Sequence, residues 1–206
     1  MKDTNSIIVR VNNQRKADNI PALNFDWWNY GGITRDVSII ETPLNYIKDY
    51  EIQLAKNSTD TIAGWVQLGG DDISGSFSIR IPKLHLNYHS ETAKDGKAFF
   101  RLAATPDLWS PERPQLYDVF IAADQDSVHE MIGFRRIQVK GNQILLNGKS
   151  VFLKGINIHE EIPEDKRRAY SEADAEKLLG RAKELGCNFV RLTHYSHNEY
   201  MVRLAD

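Results

Sequence analysis

The chain holds a single cysteine, Cys187, so an intrachain disulfide is impossible and a cysteine-rich zinc site is excluded. Long apolar runs are also missing. No stretch of about 18 apolar residues occurs, and the opening Met1-Lys2-Asp3-Thr4-Asn5 lacks the apolar segment of a secretory signal. A soluble chain is expected, with cytoplasm and periplasm both open. Positive charge is not in excess either: 26 Lys and Arg against 28 Asp and Glu give a net charge of −2, which removes the electrostatic footprint of a general nucleic-acid binder. What is present is ordinary globular material. With 41% hydrophobic and 26% charged residues, a chain of 206 residues can bury a real core in one or two complete domains.

The character of the chain changes near residue 135. Before it stand short β-type runs bounded by Gly, Pro, Asn and Asp; after it strand, helix, strand and helix alternate. Seven strands are predicted at Tyr46 to Leu54, Ile62 to Leu68, Ser76 to Ile81, Leu84 to Tyr88, Ala98 to Ala103, Tyr117 to Ala123 and Val128 to Ile137. Seven short strands in one such stretch suit an immunoglobulin-like sandwich. Upstream, Ile7 to Val11 and Val37 to Ile40 promise two or three strands, too few to close a sandwich alone. Downstream, the Leu145-Leu146-Asn147-Gly148 turn signal leads to an expected strand at Val151 to Lys154. Ser171 with Asp174 three residues on resembles a capping box, Ala175, Leu178, Leu179, Ala182 and Leu185 fall at helical spacing, and Gly186 sits where a helix ends. Asn188 to Leu192 then reads as a buried strand and Glu199 to Ala205 as a second helix.

Strand, helix, strand of this kind is the unit of parallel sheets and (β/α)₈ barrels, and 71 residues hold about two of the eight units that a barrel of about 250 residues needs. On such a sheet the ends of the strands carry the chemistry, because the loops that follow them converge on one rim. Asn157, His159, Glu160, Arg191, His194 and Tyr195 are expected to share that rim. A zinc site drawn from His159, Glu160, His194 and His197 is disfavoured on ligand type, and no metal is expected.

These residues carry a resemblance. Leu145-Leu146-Asn147-Gly148-Lys149, Leu153-Lys154-Gly155-Ile156-Asn157-Ile158-His159-Glu160 and Asn188-Phe189-Val190-Arg191-Leu192-Thr193-His194-Tyr195 resemble the start of the catalytic barrel of glycoside hydrolase family 2, the family of β-galactosidases and β-glucuronidases. Trp109-Ser110-Pro111-Glu112-Arg113-Pro114 and Gly133-Phe134-Arg135 are similar to its central sandwich, and the run from Asp26 to Val37 resembles the end of its sugar-binding jelly roll. The resemblance implies a multidomain β plus α/β protein. Residues 1–40 would be the incomplete C-terminal part of a jelly roll, 41–135 an immunoglobulin-like sandwich, and 136–206 the incomplete N-terminal part of a TIM barrel.

It further implies a retaining β-glycosidase acting on a carbohydrate, most simply a β-galactoside, with no cofactor and room for a homo-oligomer; β-glucuronidase and a non-catalytic carbohydrate-binding sandwich are the alternatives. In retaining enzymes an acid/base and a nucleophile stand about 5 to 5.5 Å apart. The resemblance places both glutamates on later barrel strands, so no catalytic residue is expected among residues 1–206. Asn198-Glu199 mimics the family's acid/base dipeptide but follows the second strand, where helix-start solvation explains it. By the same resemblance Asp26, His159 and His194 line the sugar pocket, with Asn157, Glu160 and Tyr195 beside them. Arg191 matches an arginine near the glutamates, where an ion pair within the barrel and direct catalysis fit equally. Trp27, Trp28 and Tyr30 suit either stacking on a sugar or packing in a core. Arg35 and Asp36 read as structural, and Glu161 to Arg168 as a solvated loop. The family's proline after His-Tyr is replaced by Ser196.

Overall fold

A computed structural model describes residues 6–20, 22–24, 26–71 and 73–206. The chain forms two compact units, one of Ile39–Phe152 with Asp206, the other of the chain up to Ser38 with Leu153–Ala205.

The Ile39–Phe152 unit is a sandwich. One sheet joins β1 (Asn45–Leu54), β2 (Thr61–Gly70) and β5 (Lys97–Ala103) in the order β1-β2-β5; the other joins β3 (Ser76–Ile81), β4 (Leu86–Glu91), β6 (Tyr117–Ala123) and β7 (Asp126–Ile132) in the order β4-β3-β6-β7. All pairings are antiparallel. Alternation decides which side chains face inward: Tyr117, Val119, Ile121 and Ala123 of β6 and Phe77, Ile79 and Ile81 of β3 are buried, while the residues between them face out. They meet Ile62, Val66 and Leu68 of β2 in one apolar core. Ile79 is fully buried there, so Ile79→Val should cost about 1 kcal/mol. Urea midpoints of this variant and of Ile137→Val, at an exposed position, test it; equal shifts would contradict a packed core at Ile79.

The seven expected strands are all present, two of them with the expected limits and the others shifted at one or both ends, and two of the shifts have a clear local cause. Pro82 to Leu84 forms a 3₁₀ turn closed by His85 in the left-handed region (φ 51°), which delays β4 to Leu86. The run expected to continue to Ile137 ends at Ile132, and the chain turns inward to bury Phe134.

A second set of strands follows: β8 (Ile137–Lys140), β9 (Gln143–Leu146) and β10 (Lys149–Ser150), ordered β10-β9-β8. Asn147 and Gly148 both take positive φ, 53° and 81°, the pair of conformations that a tight two-residue hairpin needs. This hairpin displaces the strand expected at Val151 to Lys154. The Val151 amide still donates to the Ile144 carbonyl at 2.9 Å, so those residues complete the hairpin and the parallel strand starts four residues later.

That strand, β11 (Gly155–Ile158), is the first strand of the second unit among the described residues. It pairs in parallel with β14 (Phe189–Leu192), Asn157 opposite Arg191 and Ile158 opposite Leu192. Between them lie a small ladder of β12 (Glu161–Ile162) and β13 (Arg167–Arg168) around a second 3₁₀ turn at Pro163–Asp165, and then α1 (Glu172–Glu184). The capping box is formed: Ser171 accepts from the Asp174 amide, and the Asp174 side chain takes the Ser171 amide. Ala175, Leu178 and Ala182 pack with Ile158, Ile162 and Met201, the last from α2 (Glu199–Ala205). Leu185 leaves this stripe and is exposed, because the helix has already ended and Gly186 (φ 72°) turns the chain away.

Among the described residues before Leu44 no strand forms, which corrects the expectation at Ile7 to Val11 and Val37 to Ile40. A strand persists only where a neighbour takes its ladder hydrogen bonds, and here Ile8, Val37, Ile39 and Ile40 stand exposed. No helix is long and apolar enough to cross a membrane.

Candidate functional site

The ends of β11 and β14 lie side by side, and the Thr193 amide donates to the Ile158 carbonyl at 3.0 Å beyond the last ladder pair. This tie brings the residues that follow both strands onto one rim: His159 and Glu160 after β11, His194 and Tyr195 after β14. The Thr193-His194 peptide bond is cis. The two imidazoles stand 5.6 Å apart between ring centres, inclined by 63°.

The segment around Asp26 completes the cluster. The Trp27 ring lies 5.9 Å from that of His159, 5.6 Å from that of His194 and 5.8 Å from that of Tyr195, so one indole walls all three. Asp26 Oδ2 lies 3.9 Å from His159 Nε2 and 4.0 Å from His194 Nε2. Those separations attract charge but exceed hydrogen-bond length, which leaves the three polar atoms free to engage a ligand placed between them. Two donor or acceptor rings and one acceptor carboxylate against an aromatic wall suit a hydroxyl-bearing molecule with an apolar face.

Beneath this cluster Glu160 plays a different part from the one expected. Its side chain is 1% exposed and its oxygens are fully engaged: Arg35 Nη2 donates at 2.9 Å, Arg168 Nη2 at 2.5 Å, and the Asn198 amide donates as well. Burial pushes this carboxyl up, but the bonds from Arg168, Arg35 and Asn198 outweigh it and hold the pKa below the ordinary carboxylate value. Arg35 also donates to the Ser196 carbonyl at 2.6 Å, so one guanidinium clamps the loops after both strands. Glu160 therefore organises the rim from below instead of meeting a ligand. Its own amide donates to Tyr195 Oη at 3.1 Å, and Arg168 lies 4.5 Å over the Tyr195 ring. Burial raises the pKa of that phenol.

Asn157 and Arg191 occupy paired positions in mid-strand and are exposed on the face opposite Ile158; among the described residues no hydrogen bond or ion pair joins either to the Asp26 cluster. Asn198 donates its side-chain amide to the Tyr170 carbonyl, and Glu199 is 86% exposed and paired with Arg203, in keeping with a helix start. Sequence reasoning took Arg35 as structural without finding its partner, since nothing local links residues 125 apart. Arg168, placed in a solvated loop, is half-buried against Glu160 for the same reason. A cleft of about 420 Å³ runs beside this clamp, lined by Tyr30, Arg35, Lys166, Arg167, Arg168 and Tyr170 among others.

Two family models match the chain in sequence order. Residues 45–135 match glycosyl hydrolases family 2, and residues 137–206 match the TIM barrel domain of glycosyl hydrolases family 2. The chain belongs to glycosyl hydrolase family 2. Among its curated family 2 relatives, a β-galactosidase of Arthrobacter sp. (strain B7) is 29% identical over 202 residues, covering 98% of this chain and 19% of that protein. A putative β-glucuronidase of Formosa agariphila is likewise 29% identical, covering 98% of this chain and 26% of that protein. The chain thus spans about a fifth to a quarter of these relatives. Among solved family 2 structures, the β-galacturonidase from Eisenbergiella tayi bound to glycerol superposes with a TM-score of 0.76 at 26% identity, over 95% of this chain and 36% of that one. The sandwich and the opening βα units seen here are those of the family; the jelly roll expected at 1–40 finds no counterpart among the described elements.

Proposed function

We propose that this chain is part of a retaining β-glycosidase, and that Asp26, His159 and His194 hold the terminal sugar of its substrate. The observation that carries the reading is the unspent polar triad on the strand-end rim, walled by Trp27. Neither catalytic carboxylate is assigned to these residues. Glu160 is locked between two guanidiniums, Glu161 is buried and accepts the Trp28 amide at 3.0 Å, and Glu199 stands in solvent, so none of the three can alternate between acid and base against a bound sugar. Residues 41–135 would then act as the sandwich that supports the barrel begun in 136–206, a division supported by the two family matches.

The sugar we favour is a β-galactoside. A β-glucuronide is the second reading, supported by the equal identity to relatives of each name and by the galacturonidase neighbour. The protein that carries this chain, assayed on aryl β-galactoside and aryl β-glucuronide, should release the aryl group from one of them, while residues 1–206 alone release none. Replacing His159 or His194 by alanine in it should lower kcat/KM about tenfold each, the worth of one hydrogen bond of about 1 to 1.5 kcal/mol. Unchanged kcat/KM in both variants would remove the triad from the sugar site, and silence on every β-glycoside would defeat the glycosidase reading.

A further inference from the structure

Asp26, His159 and His194 each offer one metal-ligand atom within 4.8 Å of those of the other two, and Asp26 Oδ2 stands 3.9 and 4.0 Å from Nε2 of the two histidines. We infer that these three side chains form a binding site for a divalent transition metal of the zinc class, and that the metal and a saccharide exclude each other there. The competition rests on the saccharide reading above; the metal site itself does not.

The donor set selects the metal. Two imidazole nitrogens and one carboxylate suit zinc, nickel, copper or cobalt, whereas magnesium and calcium require oxygen donors throughout. Bonds of about 2.0 to 2.1 Å place the ligand atoms of a tetrahedral zinc roughly 3.3 to 3.4 Å apart. The two carboxylate-to-imidazole separations, 3.9 and 4.0 Å, close to that value by a small rotation of the Asp26 side chain, which is 69% exposed. Three protein ligands leave the remaining positions to water. The set considered from the sequence, His159, Glu160, His194 and His197, was disfavoured on ligand type, and the structure removes two of its members: Glu160 is held by arginines, and His197 Nε2 donates to the Thr193 carbonyl at 2.9 Å. Asp26 takes the third position instead.

Affinity will be modest. Strong sites fix the second nitrogen of each histidine with an acceptor, and among the described residues no hydrogen bond holds Nδ1 of His159 or His194. Such a site acts as an inhibitory one that fills when free metal rises, not as the seat of a resident cofactor.

Calorimetric titration of the 206-residue chain with Zn²⁺, paralleled by Co²⁺ absorption in the visible, tests the assignment. One equivalent should bind, with Co²⁺ d–d bands typical of mixed nitrogen and oxygen ligation. Loss of an outer partner alone costs about 10- to 100-fold in metal affinity, so H159A, H194A and the milder H159Q and H194Q should each lose at least that much. An H85A/H89A/H129A variant should retain the site. Binding that survives in H159Q/H194Q, or no binding by the wild type at millimolar metal, would overturn it. A zinc site at the triad that no β-galactoside or β-glucuronide displaces would leave the metal assignment standing and remove the shared saccharide site; calorimetric binding of a saccharide, lost in H159Q/H194Q, with no binding of zinc would do the reverse.

Discussion

Alanine in place of Glu160 is expected to destabilise the unit built on β11, α1 and β14 by about 3 kcal/mol, the lower edge of the 3 to 5 kcal/mol for stripping one partner from a buried ion pair. The lower edge applies because Arg35 and Arg168 keep some water, with side chains 40% and 23% exposed. Two guanidiniums that faced one carboxylate would then face each other, and the Asn198 amide would lose its acceptor. Hydrogen exchange at the α1 amides reads this directly, with the amides of β3 and β6 as an internal reference. Equal protection of α1 in wild type and Glu160→Ala would mean that the clamp contributes nothing to stability. Glu160→Gln should recover part of the loss, since its carbonyl still accepts one of the bonds.

Asp174→Ala should follow at about 2 to 3 kcal/mol, summing a lost helix cap of about 1 kcal/mol and charge-assisted bonds of about 1.5 kcal/mol or more. The buried Asp174 carboxylate accepts from Arg167 Nη1 and Nη2 at 2.7 and 2.9 Å, and from the Tyr170 and Ser171 amides. The Arg167 bonds foremost hold its pKa far below the usual carboxylate range, against the upward push of burial. The folded state thus binds the proton less readily than the unfolded chain, so this stabilisation is complete above the unfolded value of about 3.9 and is lost as the pH falls through the folded one. Glu160 shifts in the same direction from a value of about 4.3. Urea midpoints of the wild type should therefore fall between about pH 5 and pH 2, and less steeply in Asp174→Asn. Parallel slopes would show that Asp174 titrates alike in both states.

What could be read in advance was local. The alternation of Phe77, Ile79 and Ile81, the Ser171 and Asp174 spacing and the Asn147-Gly148 turn each encode their geometry within a few residues, and each was found where expected. The convergence of His159 and His194 followed from strand order, because parallel neighbours present their ends together. What escaped was non-local. Val151 had the right composition for the parallel strand, yet its amide was already committed to Ile144. Ile8 and Val37 had strand character but no partner. The Arg35 to Glu160 pairing leaves no periodic trace, so the sequence alone places Glu160 among the rim groups without showing that its carboxylate is engaged by Arg35 and Arg168.

Asp26 reaches the rim on a segment that forms no strand, attached through Arg35, the Trp28 amide and the rings around Trp27. Its carboxylate is therefore present at the two histidines only in the fraction of molecules with that segment seated. Apparent affinity scales inversely with such a fraction, and each 1.4 kcal/mol lost from a marginal seating equilibrium weakens binding about tenfold. Recognition at the proposed site would in this sense be a matter of local concentration, set by a tether. On the proposed reading, Arg35 would then set the affinity of a ligand held between Asp26 and the two imidazoles through its bonds to Glu160 and Ser196 alone.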